Sequence, residues 1–229
     1  EPEITALARF LVKMGAQIDG IGTSQLEIHG VNSLKPIDET AIPDRIEAAT
    51  LLIAAAITKG EIEIKDVNPY HLSSVIVKLE ESGCEIDVTG DTIYCKQDNN
   101  PLPVDYTTSI YPGLPTDVQA QWVAYMLQAE GQAKVTDTIY TDRFKHIPEL
   151  QRLGADIKLI DNSAIINGGK PLSGATLMSS DLRGSAALVL AGLIAEGTTD
   201  VLRVYHMDRG YEKVEEKLKD YEKSHKILI

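Results

Sequence analysis

Three nearly unbroken apolar runs, 44–59, 116–130 and 181–196, close at Gly60, Gly131 and Gly197, which lie 71 and 66 residues apart. A repeat of this length constrains the fold more than any local motif. Each unit must be a supersecondary block that hides its apolar helix only by stacking on its neighbours. Each closing glycine is expected just past a helix end, where a left-handed backbone is common.

A second class of segment has apolar residues three and four apart: Ile4, Leu7, Leu11 and Met14; Leu72, Val75, Ile76 and Leu79; Ile147, Leu150 and Leu153; Tyr211, Val214 and Leu218. This spacing predicts helices with one covered face. The first three stop at Gly15-Ala16, Gly83-Cys84 and Gly154-Ala155, spaced 68 and 71. Alternating stretches follow at 17–29, 85–96 and 156–167, each with turn residues in its middle, and these predict hairpins. The unit is therefore strand, buried helix, strand, amphipathic helix and hairpin, an α/β block of βαβαββ order. Helices apolar on all sides need cover on most sides, so three units are expected to place them centrally, with sheets and second helices around them.

Both ends depart from this pattern. Residues 1–30 supply only a second helix and a hairpin, and 31–43, with Pro36 and Pro43, is the expected linker. The chain then holds about two full units with partial ones at either end. The same spacing places a Gly-Ala stop near 222, but the sequence there reads Tyr221-Glu222-Lys223-Ser224. The last hairpin is expected to be missing, and the chain reads as a piece of a longer one.

Against 34 Asp+Glu stand 22 Lys+Arg, a net charge of -12. This argues against a nucleic-acid or anionic-membrane surface, so an anionic ligand needs a local basic cluster. The longest apolar run, 46–57, is too short to span a bilayer and no basic leader precedes it, so a cytoplasmic protein is expected. Cys84 and Cys95 form no CxxC pair and have no nearby histidine, which reads as reduced, structural thiols and no metal site. Neither a Gly-rich phosphate loop nor a Gly-x-Ser-x-Gly elbow is present.

Asp142-Arg143 and Asp208-Arg209, 66 residues apart, stand at the expected starts of two amphipathic helices. Aspartate is an ordinary cap there, but arginine in a first turn meets the positive end of the helix dipole. Arg183 repeats the oddity at the start of the third apolar run. Three such arginines suit a phosphate or carboxylate pocket, although each alone is explained by a pair with its own aspartate or by reaching water. Asp117 falls two residues deeper in its run than Asp44 and Asp181 do, so it reads either as a cap or as a proton acceptor. His146 and His206 lie near the Asp-Arg corners and read first as surface or capping residues.

Pro43-Asp44-Arg45-Ile46-Glu47, Leu114-Pro115-Thr116-Asp117-Val118-Gln119-Ala120-Gln121, Asp142-Arg143-Phe144, Asp181-Leu182-Arg183 and His206-Met207-Asp208-Arg209-Gly210-Tyr211-Glu212 resemble the UDP-N-acetylglucosamine 1-carboxyvinyltransferase family of enolpyruvyl transferases over residues 1 to about 220. The resemblance implies two similar domains, each an inside-out α/β barrel of three βαβαββ units, with the substrates in the cleft between them. It assigns 1–42 to the end of one domain plus a linker, and 43–229 to the second domain without its final hairpin. The implied activity moves the enolpyruvyl group of phosphoenolpyruvate to the 3-hydroxyl of UDP-N-acetylglucosamine with release of phosphate. That step opens peptidoglycan precursor synthesis, and with it cell-wall biogenesis, cell shape and division, and it needs no cofactor.

By motif match, Asp117 resembles the carboxylate at the sugar 3-hydroxyl, and Ile139, ending an expected strand 135–139, the position whose backbone meets the UDP-sugar. Arg143, Arg183 and Arg209 resemble arginines on the phosphoenolpyruvate side, and Asp181 a second carboxylate near the reacting carbons. The family's reactive cysteine, with a lysine and an arginine that hold phosphoenolpyruvate, belongs to an N-terminal half absent here. The isolated chain is therefore expected to be inactive. The sister transferase acting on shikimate 3-phosphate and a non-catalytic ligand-binding module are the alternatives.

Overall fold

A computed structural model of the chain describes residues 1–219 and 226–228, and they fall into two compact units, Glu1–Asp44 and Arg45–Ile229. In the first, helix α1 (Pro2–Lys13) opens with proline at a position whose N–H has no helical partner to lose. It stops at Gly15, whose φ of 109° lets the Gly15 and Ala16 amides turn back onto Val12 and Leu11. Strands β1 (Gln17–Asp19) and β2 (Glu27–His29) then pair antiparallel. The helix buries only Pro2 and Ala8, and Ile4, Leu7 and Val12 on its apolar side are exposed. Residues 30–44 carry no helix or strand; Lys13 pairs with Glu39, and Lys35 N–H donates to the Met14 carbonyl.

The second unit contains the repeats. The first repeat runs α2 (Arg45–Ile57), β3 (Glu61–Ile64), α3 (Ser73–Glu81), β4 (Glu85–Thr89) and β5 (Thr92–Lys96), in sheet order β3-β5-β4. The second runs β6 (Tyr106–Thr107), α4 (Gln119–Met126), β7 (Gln132–Thr136), α5 (Ile147–Arg152), β8 (Ile157–Ile160) and β9 (Ser163–Asn167), in order β6-β7-β9-β8. The third runs β10 (Thr176–Met178), α6 (Leu182–Gly192), β11 (Thr198–Leu202) and the short α7 (Val214–Leu218). Strands joined through a buried helix are parallel neighbours, as that connection requires, and each hairpin strand returns antiparallel.

Among the described residues only the second repeat has all four strands, so the expectation of two full units is corrected: no strand of the first repeat's own sheet precedes α2. Where β5 and β9 close their sheets antiparallel, the third repeat has β12 (Lys226–Leu228), a lone strand lying parallel on β11. The stop sought near 222 lies outside the described residues. The closing glycines hold for Gly131 and Gly197, both at positive φ, whereas in the first repeat Lys59 takes the left-handed position instead of Gly60.

Helices α2, α4 and α6 pack on one another, and each lies on its own sheet. Leu52, Ile53, Trp122 and Met126 are fully buried and Leu190 nearly so, which explains why these runs carry so few polar residues. The result is an α/β fold with mixed sheets and three central helices. Cys84 and Cys95 are free and buried. No helix among the described residues is long and apolar enough to cross a membrane.

Candidate active site

Asp117 sits in a 3-10 turn, Thr116–Val118, that leads into α4. One oxygen, Oδ1, accepts from two guanidinium groups: Arg183 Nε at 3.0 Å and Arg143 Nη1 at 3.2 Å. Arg183 is the second residue of α6, so one end of a central helix reaches across to the start of another. Arg143 lies in the turn ahead of α5, not in its first helical turn, and Arg209 likewise precedes α7. The dipole argument made for those two arginines therefore does not apply, and neither Asp142 nor Asp208 caps a helix. Their backbone leaves the strand through a turn that delays helix formation by several residues.

The three side chains are partly buried, with exposures of 30% for Asp117, 23% for Arg143 and 15% for Arg183. Burial pushes the Asp117 carboxyl up, but the charges of Arg183 and Arg143 and their hydrogen bonds outweigh it and hold it below the usual aspartate range. Burial pulls Arg183 down, and Tyr211 and Asp117 more than restore it. A carboxylate held this way stays ionised and is a weak base while both arginines remain on it.

No sequence pattern marks the polar seam beneath Arg183. Its guanidinium lies over the Tyr211 ring, 5.7 Å from the centroid, with Nη1 3.4 Å from the hydroxyl. Thr50 on α2 commits its proton to the Ile46 carbonyl, so in the 3.0 Å contact Tyr211 donates to Thr50. Gln121 Nε2 on α4 donates to Thr50, to Tyr211 and to the Asp117 carbonyl at 3.1, 3.1 and 3.0 Å. All three central helices thus meet at Tyr211 behind the arginine.

Asp137 was missed as well. Its carboxylate is fully buried. Oδ1 accepts from Thr108 Oγ1 (2.9 Å) and from the Ile139 and Tyr140 amides (2.9 and 2.8 Å), and Oδ2 accepts from Thr116 Oγ1 at 2.6 Å. Its position directly after an apolar strand was the available signal. Strand β7 ends at Thr136, so Ile139 does not end a strand as expected. It stands in the following turn, 47% exposed, with its N–H already tied to Asp137.

Asp181 caps α6, its Oδ1 accepting the Arg183 and Gly184 amides at 3.1 and 2.8 Å. Among the described residues Oδ2 meets only the neighbouring Ser180 hydroxyl, at 3.2 Å. Arg209 is exposed. His146 is no surface residue: it is buried behind Arg143 and stacked on Phe144, and burial holds its imidazole down to about 4, Asp181 opposing and Arg143 adding. His206 packs on the Tyr205 ring. Among the described residues no group of His, Cys, Asp and Glu is arranged to hold a metal ion.

Over most of its length the chain is similar to known proteins. A family model described as EPSP synthase (3-phosphoshikimate 1-carboxyvinyltransferase) matches residues 1–218. The chain belongs to this family. Within it, the chain is 56% identical over 219 residues to a UDP-N-acetylglucosamine 1-carboxyvinyltransferase from Chlorobium chlorochromatii, covering 96% of this chain and 52% of that protein. A relative of the same description from Myxococcus xanthus is 51% identical over 218 residues, 95% of this chain and 52% of its own length. The chain therefore spans about half the length of the curated relatives it matches.

Among solved structures, the enolpyruvyl transferase NikO from Streptomyces tendae is similar with a TM-score of 0.84 at 29% identity, over 96% of this chain and 53% of that one. An EPSP synthase from Acinetobacter baumannii shares the fold with a TM-score of 0.68 at 18% identity, over 97% of this chain and 55% of its own.

Proposed function

We propose that this chain is the C-terminal portion of an enolpyruvyl transferase that joins the enolpyruvyl group of phosphoenolpyruvate to the 3-hydroxyl of UDP-N-acetylglucosamine in the cytoplasm, opening peptidoglycan precursor synthesis. The observation that carries the reading is Asp117 Oδ1 held between Arg143 and Arg183, in a chain so similar to the 1-carboxyvinyltransferases. In the reaction the sugar hydroxyl loses its proton and its oxygen bonds to the enol carbon while the neighbouring CH2 carbon takes up a proton. That carbon then gives up a proton, the double bond re-forms and phosphate departs with the electron pair of the broken C–O bond. Asp117 takes the hydroxyl proton. Arg143, Arg183 and Arg209 hold the phosphate and carboxylate, where preorganised positive charge stabilises the charge that develops on the leaving group.

The doubly paired aspartate suits such a cycle. With the cleft empty, it pairs with two arginines and offsets one of their two charges. An incoming phosphate competes for them, and each arginine that turns to the substrate leaves Asp117 more basic, when a base is needed. Ile139 meets the UDP-sugar through its backbone. Asp181 serves proton transfer at the reacting carbons through Oδ2, since Oδ1 is spent on the helix cap.

In this reading residues 43–229 are most of one inside-out barrel and 1–42 the end of the other, whose remainder covers Ile4, Leu7 and Val12. The opposite wall of the cleft, with the reactive cysteine, belongs to that remainder, so the isolated chain does not turn over. Phosphate release from phosphoenolpyruvate and UDP-N-acetylglucosamine tests this. We expect none from the 229-residue chain, turnover from a longer protein that contains it, and a loss of about 100-fold or more in kcat on Asp117→Ala in that protein. Turnover by the chain alone overturns the fragment reading, and preference for shikimate 3-phosphate overturns the substrate.

A further inference from the structure

We propose that Asp137 is the positioning residue of this site, a buried carboxylate that holds the Arg143 turn and the Asp117 turn in register so that the two side chains meet. The proposal deepens the reading of Asp117 and Arg143 as site residues and rests on it.

The two turns come from opposite ends of the second repeat's first half. One is the single 3-10 turn that opens α4, the other follows β7, and neither lies in a strand that could fix it against the other. Asp137 reaches both. Through Oδ1 it takes the amides of Ile139 and Tyr140. Tyr140 in turn accepts the Arg143 amide at its carbonyl, 3.0 Å away, and lies under the guanidinium with its ring centroid 5.3 Å from Cζ. Through Oδ2 it takes the hydroxyl proton of Thr116, the residue before Asp117.

That second bond also sets a direction. A hydroxyl has one proton, and Thr116 spends it on Asp137. Its lone pairs are then what Arg143 meets, and Nη1 donates to Thr116 Oγ1 at 3.2 Å as well as to Asp117 Oδ1. Asp137, Thr116 and Arg143 form a chain of donors pointing one way and ending on the carboxylate at its core. A polar group with no exposure is expensive unless its bonds are made, and here four donors satisfy it.

Asp137→Asn is the discriminating variant, because it keeps the shape and reverses one hydrogen bond. With Oδ1 still serving the two amides, the new NH2 donates to Thr116. The Thr116 proton must then swing away, towards Arg143, where it meets another donor. The test follows the Asp117 side-chain carboxyl by 13C NMR through a pH titration of the 229-residue chain, assigned with Asp117→Asn, and compares wild type, Arg143→Ala and Asp137→Asn.

In Arg143→Ala the Asp117 midpoint is expected to rise, and in Asp137→Asn it is expected to move most of the way to the Arg143→Ala value. A role in stability alone lowers the melting temperature of Asp137→Asn and leaves the midpoint where it was, and a folded Asp137→Asn chain with the wild-type midpoint overturns the proposal. So does an Arg143→Ala variant with no shift. If Asp137→Asn does not fold, amide exchange in the wild-type chain decides: the Ile139 and Tyr140 N–H groups are expected to exchange on the order of 100-fold slower than free amides, and fast exchange overturns the assignment. None of these readings needs turnover, so failure of the proposed activity leaves them interpretable.

Discussion

Arg183 Nε lies 3.0 Å from Asp117 Oδ1 across 66 residues of chain, tying the first turn of α6 to the turn that opens α4. The same guanidinium lies over Tyr211, so one planar group serves a carboxylate at its edge and an aromatic ring at its face.

Arg183→Lys is expected to lose both contacts in part, since an ammonium has no plane to stack and no fork to divide between partners. Arg183→Ala is expected to lower stability by about 1–3 kcal/mol, the range for leaving a partly buried charged partner short of a hydrogen bond. Urea unfolding of both variants measures this, and an unchanged midpoint for Arg183→Ala contradicts the importance given to the pair.

The folded-state shifts of Asp117 and His146 bear on stability in the same direction. Asp117 is held below its ordinary range, so the stability it contributes is present at neutral pH and is lost as acid protonates it. His146 is held from 6.5 down to about 4; its unfolded form gains a proton first, and stability falls between those values by about 3 kcal/mol. Thermal melts of wild type from pH 7.5 to 4 should drop steeply. His146→Leu should flatten the upper part of that window, and a slope identical to wild type would refute the burial of a neutral imidazole.

Tyr211→Phe removes the hydroxyl on which Thr50, Gln121 and Arg183 converge. Thr50 loses a donor and Gln121 an acceptor, and both residues are buried. We expect a loss of about 1–2 kcal/mol by chemical denaturation, with the ring still under Arg183 and the Asp117 titration little changed. A neutral substitution would show that the seam is not a structural hub.

Arg209 makes the opposite case. It is exposed in the turn before α7, and a surface substitution away from any special feature costs within about 0.5 kcal/mol. Arg209→Ala should therefore melt with wild type, while in a longer active protein it raises KM for phosphoenolpyruvate. If KM does not move, Arg209 is not a ligand-binding arginine.

Sequence periodicity and tertiary structure divide the explanation unevenly. The three apolar helices, the amphipathic helices and the hairpins at 17–29, 85–96 and 156–167 were legible because burial imposes a repeating pattern on side chains. Strand ends and helix starts were less so. Periodicity puts Ile139 and the two Asp-Arg corners in regular elements, but each stands in a turn, since hydrogen bonds to Asp137 and to the backbone compete there with continuation of the ladder or helix. Lys59 takes a left-handed position that the adjacent glycine was expected to fill.

The site shows the same division. That Asp117, Arg143 and Arg183 are candidate site residues was readable from the odd place of Arg183 in an apolar run, from the depth of Asp117 in its own run and from the resemblance of their motifs. Which of them touch was not, because a pairing across 66 residues depends on how three helices pack, and no local pattern encodes it. Asp137, Tyr211, Gln121 and Thr50 each look ordinary in sequence, and only their convergence makes them a support for the site. The sequence by itself determined the repeat, the central helices and the charges available. The tertiary structure alone decided that one carboxylate oxygen receives two arginines, because the distance between side chains is set by packing and not by spacing along the chain.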